Sequence, residues 1–138
     1  MISELAEGPQ QTFTGFVRHW LRLLSEDRLP EACGLLDEPN RYGIVWTPEL
    51  IRRVVAETFD SQTLFYLAHP EGPRFTDPSA LPEAGQQDET FDRFDDGNGY
   101  RLDYPVPLNG EGSDLTAQFE FRARPGGYAA ILDDLHVL

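Results

Sequence analysis

Asp134 and His136 stand two residues apart in the run Ile131-Leu132-Asp133-Asp134-Leu135-His136-Val137-Leu138. On a β-strand that spacing puts both side chains on one face, where a carboxylate beside an imidazole can move protons near neutral pH. They are the candidate catalytic pair. Their competing role is structural, with Asp134 capping or salt-bridging a neighbour and His136 at a sheet edge. Trp20 and Tyr104 are the candidates for lining a ligand cavity. Asp103 adjoins Tyr104, and on a regular strand only one of two adjacent residues faces inward.

The other chemistry-bearing residues are scattered. His19 precedes Trp20 and reads as a boundary residue, and His69 lies in a turn cluster, so the three histidines give no zinc spacing. The stretch Asp92 to Asp103 has acids at positions one, five and twelve of a calcium loop and Gly97 at position six. Phe94 occupies position three, however, and no helix pattern flanks it, so a solvated turn at Gly97-Asn98-Gly99 is expected and no metal. Cys33 is the single cysteine and sits among apolar residues, which excludes an intrachain disulfide and reads as packing. There is no Gly-rich phosphate loop and no nucleophile elbow. No cofactor is implied.

Charge gives a different kind of candidate. The chain carries 24 acids against 11 basic residues, a net −13, and every basic residue is arginine. Such a balance repels phosphate backbones and anionic lipid, so nucleic acid and membrane surfaces are excluded as direct partners. Between Asp77 and Gly99 seven acids face the single Arg93, and Asp92, Asp95 and Asp96 are the candidate contacts for a basic protein partner. Residues 77–99 read as one long, mobile, acidic loop. With no basic leader before an apolar run and no stretch of eighteen apolar residues, a cytoplasmic protein is expected. A homodimer stays open.

Elements must position these residues. At 138 residues, with 40% hydrophobic and 12% aromatic content, one domain with one core is expected over 1–138. Phe13, Phe16, Val17, Trp20, Leu21 and Leu24 follow helical spacing, predicting a helix over 12–28 with Thr12 as its cap and a shorter one over 30–37 opened by Pro30. Thr47-Pro48-Glu49 predicts a third helix over 47–59. Residues 63–67 read as a strand. Further strands are predicted over 100–108, where Pro105 and Pro107 suit an edge, and over 114–124, where strict alternation predicts one buried and one solvated face. The last, over 128–138, reads as a central strand with a bulge at Asp133-Asp134. The fold class is α+β, helices packed on a curved antiparallel sheet.

This order, with Asp114-Leu115-Thr116 entering the penultimate strand and the terminal Ile131-Leu132-Asp133-Asp134-Leu135-His136-Val137-Leu138, resembles the nuclear transport factor two-like superfamily and its bacterial members. The resemblance implies a cone of helices and curved sheet that holds a small ligand, a catalytic Asp-His pair, a protein partner or nothing. Two functions are therefore carried forward. One is a non-catalytic interaction or accessory protein, of the inhibitor or immunity type, offering an acidic surface to a basic partner. The other is a pocket enzyme of the isomerase, dehydratase or cyclase kind, or a ligand-binding protein, built on Asp134 and His136. An enclosed cavity containing that pair distinguishes the second.

Overall fold

The computed structural model describes residues 1–60, 64–83 and 86–138. Helix α1 spans Pro9–Ser25, α2 Leu29–Gly34 and α3 Pro48–Thr58. The start of α1 lies three residues before the predicted one: Pro9, with its fixed φ, opens the helix behind Gly8, and Thr12 lies inside the first turn instead of capping it. Its apolar stripe of Phe13, Val17, Trp20, Leu21 and Leu24 is buried. The helix stops where Asp27 turns into the left-handed region at φ 58°, with Asp27 N–H donating to Leu24 O at 3.1 Å and Arg28 N–H to Leu23 O at 2.9 Å. Those two bonds are a Schellman closure, in which an Asp tolerates the backbone that glycine prefers. In α3, Thr47 Oγ1 accepts the Leu50 N–H at 3.2 Å and Pro48 opens the first turn, as the residue types predict.

The predicted strand at 63–67 is corrected. Thr63 lies outside the described residues, and Phe65–Ala68 is a single helical turn, α4. The ring of Phe65 packs on Phe59 at 4.7 Å and the His69 N–H closes the turn on Phe65 O at 2.9 Å, contacts that override the strand propensity of the apolar run. The 77–99 stretch is also not one continuous loop. Pro78–Ala80 is a short 3-10 turn capped by Asp77, and Thr90–Arg93 forms strand β1, where Phe91 stacks on Tyr100 with ring centroids 5.3 Å apart.

Strands β2 (Gly99–Pro105), β3 (Leu115–Arg124) and β4 (Gly127–Val137) complete a curved, open antiparallel sheet in the order β1-β2-β3-β4. Strand β2 ends at Pro105, short of the predicted 108, with one further bond to β3 from Val106 N–H to Leu115 O at 2.8 Å before Pro107. The concave face carries Leu102, Tyr104, Ala117, Phe119, Phe121, Ala130, Leu132 and Leu135, all buried against the helices. Phe13 stacks on Phe121 at 4.2 Å, and Trp20 meets Phe119 edge-on at 5.2 Å. Aromatic rings thus fill the hollow of the curved sheet.

Strand β4 lies at the end of the sheet, correcting its reading as a central strand. Its first half is buried on both faces because the chain from Asp37 to Trp46, together with the N-terminus, runs along its edge. The main chain of Tyr128 exchanges both its bonds with Ile2. Ala130 donates to Asp37 Oδ2 at 2.8 Å and accepts from Asp37 N–H at 2.9 Å. Trp46 Nε1–H donates to Leu132 O at 2.8 Å, and Asn40 Nδ2–H to Asp133 O at 2.9 Å. Asn40 Oδ1 also accepts the N–H groups of Tyr42 and Ile44, each at 3.0 Å. Asn40→Ala would strand these groups in a site where Asn40 is 5% exposed. We expect it to lower stability by about 2–3 kcal/mol, measured as a shift in the urea midpoint at unchanged slope.

Candidate functional site

The ladder between β3 and β4 slips by one residue: Phe119 faces Leu132, but Gln118 faces Asp134, so Asp133 is the extra residue of a bulge. This is the predicted place, and its consequence is decisive for the candidate pair. Above the bulge the even-numbered residues Tyr128, Ala130 and Leu132 face the concave side. Regular alternation would carry Asp134 and His136 there too, whereas the slip puts Leu135 inside and turns both of them outward.

On the outer face the pair does meet, His136 Nδ1 lying 3.1 Å from Asp134 Oδ2, with the side chains 37% and 48% exposed. The contact is a close approach without hydrogen-bond alignment, for Nδ1 is buried yet has no hydrogen-bond partner. The other oxygen, Asp134 Oδ1, accepts the Leu135 N–H at 2.8 Å and so occupies a main-chain donor on the β4 edge. Neither residue lines a cleft described below. Asp103 is in register with Gln118, whose Nε2 lies 3.4 Å from each of its carboxylate oxygens, so the row Asp103, Gln118, Asp134 crosses the outer face.

Tyr104 borders only a pocket of about 10 Å³, too small for a ligand, and Trp20 is packed inside the core. Tyr104 is 5% exposed and its hydroxyl accepts from Arg18 Nη1 at 3.1 Å. Burial pushes the phenol up from its ordinary pKa, against the opposing pull of Arg18. Trp20 is fully buried, and its Nε1–H has no partner among the described residues. His19 is exposed, whereas His69 is half-buried between Phe65 and Glu111, with Nε2 2.9 Å from Glu111 Oε1. The half-buried Cys33 thiol is pushed up, chiefly by burial and then by Glu49.

The second predicted group is held by the β1–β2 hairpin. Asp92 lies opposite Arg101 on β1, and Asp95 and Asp96 sit in the turn closed by Phe94 N–H to Gly99 O at 2.9 Å; all three are exposed. Because Asp92 and Asp103 belong to facing strands, the stretch is a hairpin and not an ion-wrapping loop. Among the described residues no three His, Cys, Asp or Glu side chains converge as a metal cluster would. Asp96 Oδ2 is 3.7 Å from Arg122 Nη1, and the Arg122 guanidinium lies 3.7 Å from the centre of the Phe94 ring, so one arginine anchors the turn to the sheet.

That arginine belongs to a chain of charges missed by sequence reasoning. The predicted solvated face of β3 is largely covered, with Gln118 6% and Glu120 8% exposed, because long arginine side chains lie across it. Arg122 Nε stands 3.5 Å from Glu120 Oε2. Arg41 Nη2 donates to the buried Asp133 Oδ2 at 2.8 Å, which raises the Arg41 pKa further, first through that hydrogen bond. Nothing local couples Arg41 to Asp133 in the sequence; the bulge and the bond from the adjacent Asn40 to Asp133 O bring them together. No helix among the described residues is long and apolar enough to cross a membrane. Compared with protein-family models, curated proteins and solved structures, the chain matches none.

Proposed function

We propose that this protein is a non-catalytic interaction or accessory protein whose exposed acidic hairpin, Asp92, Asp95 and Asp96, meets a basic protein partner, in the manner of an inhibitor or immunity protein. The observation that carries this reading is the filled concave face: with aromatic rings in the hollow, the working surface is sought outside. The hairpin offers three exposed carboxylates, Asp92 on β1 and Asp95 and Asp96 on a turn anchored by Arg122 and Phe94, in a chain of net −13. A cytoplasmic setting and membership of the nuclear transport factor two-like superfamily belong to the same reading, the latter supported by the order of helices and antiparallel strands. The alternative, a pocket enzyme using Asp134 and His136, draws support from their 3.1 Å approach, but both lie on the outer face without a cavity around them.

Association with a basic partner recovered from the native cell tests the proposal. Exposed charges act over a Debye length of about 10 Å at 0.1 M salt, so binding through this hairpin slows as salt rises. The triple change Asp92→Asn, Asp95→Asn and Asp96→Asn removes three charges and keeps side-chain shape. The Asp96 Oδ1 that accepts the Asn98 N–H at 2.8 Å has an amide oxygen to replace it. The expected result is association about tenfold slower at low salt with a smaller change in dissociation. A partner that binds equally fast at every salt concentration and ignores the triple change excludes the hairpin as the recognition surface.

A further inference from the structure

A cleft of about 430 Å³ opens between the C-terminal end of α1, the face of α3 and the segment from Tyr66 to Phe75. No residue of the sheet lines it, so it is separate from the concave face and from the acidic hairpin. Its volume is within the range of small-molecule sites, roughly 300–1,000 Å³. The floor is apolar: Leu24, Leu29 and Val55 are buried beneath it and Phe75 is half-buried.

The polar groups at its rim are unusual for this chain. With 24 acids to 11 arginines, carboxylates are abundant, and most of the arginines have taken one. The Arg74 guanidinium makes no hydrogen bond or ion pair at the rim, where its charge attracts the nearby Glu71 carboxylate only from a distance. Arg52 is 3.6 Å from Asp27, but Asp27 is 85% exposed there and Arg52 55%, so the pair is readily displaced. The Tyr66 hydroxyl also makes no hydrogen bond among the described residues, and it is pressed close to Gly72, where an added Cβ would stand 3.1 Å from it. Two acids share the rim. Glu71 is already engaged by Asn109 Nδ2 at 3.0 Å and by His69 Nδ1 at 3.5 Å, and Asp27 is placed there by the left-handed closure of α1.

We infer that this cleft binds a small organic acid, its apolar body on Leu24, Leu29, Val55 and Phe75 and its carboxylate received by Arg74, Arg52 and the Tyr66 hydroxyl. Guanidinium groups match a carboxylate in geometry as well as charge, and apolar burial supplies the remainder of the affinity. The site is independent of the acidic hairpin, so either proposal stands if the other fails.

The test is an NMR titration of the full chain with 4-phenylbutyrate and with its neutral analogue 4-phenylbutanamide. The acid should bind saturably, moving the amide signals of Val55, Ala56 and Phe75, and should bind at least about tenfold more tightly than the amide, as one charge-assisted hydrogen bond allows. Arg74→Gln and Arg52→Gln should each weaken the acid severalfold and leave the amide unchanged. Asp27→Gly should act in the opposite direction, tightening the acid by releasing Arg52 while meeting the backbone's preference at φ 58°. An apolar groove without anion recognition would bind acid and amide alike and ignore all three substitutions, which overturns the inference. Signals that move elsewhere, or do not move at all, overturn it equally.

Discussion

Trp20→Ala is expected to cost about 3–5 kcal/mol, read as a lower denaturation midpoint. The indole is fully buried, edge-on to Phe119 at 5.2 Å, at the centre of the contact between α1 and the sheet. Trp20→Phe should cost far less. It keeps a ring against Phe119 and removes an N–H that is buried without a partner, a group whose desolvation opposes folding by about 1–3 kcal/mol. A large loss for Ala with near-neutrality for Phe would therefore separate packing from polarity at this site. An unchanged midpoint for Ala would mean that α1 presents a different face to the sheet.

Gly99→Ala is expected to be of similar severity, about 3 kcal/mol or more. Gly99 has φ 140°, and a Cβ there would stand 2.2 Å from Phe121 O and 3.1 Å from Arg122 Cα, both main-chain atoms of β3. The strands would have to part at the place where β2 leaves the acidic turn. Thermal unfolding checks the stability. Amide shifts at 94–98 would show whether the turn carrying Asp95 and Asp96 has moved with it, which links the glycine to the proposed binding surface. Wild-type stability in this variant would show that β2 and β3 are not in close register there.

Local signals carried much of the fold. The stripe from Phe13 to Leu24 and the Thr47-Pro48-Glu49 start are written in contiguous residues, and both helices form within a few residues of the expected bounds. The alternation of Leu115 to Ala123 marks β3, and the Asp133-Asp134 pair marks the bulge. What failed depended on distant partners. Phe65 turns helical around Phe59, β1 forms because Phe91 finds Tyr100, and β4 escapes the need for a second strand neighbour because Asn40, Asp37 and Trp46 satisfy its edge. For the candidate pair, the sequence allowed Asp134 and His136 to be neighbours and the bulge to precede them. The outward turn of both side chains follows from joining those two facts, since a one-residue slip exchanges the faces of everything beyond it. The cleft below α1 was illegible because its rim comes from three separate segments.

The closed edge of β4 bears on how many copies of this chain can join. Along β4 outward main-chain groups of Tyr128, Ala130, Leu132, Asp133 and Leu135 already have partners in Ile2, Asp37, Trp46, Asn40 and Asp134. At the opposite end, the outward main-chain groups of Phe91 and Arg93 on β1 meet none among the described residues. Fibre growth by strand addition requires two free ends on each unit, so that every newcomer exposes a site for the next. Here a unit has one. Two chains joined β1 to β1 would leave only sealed ends, and the assembly would terminate at a pair instead of propagating.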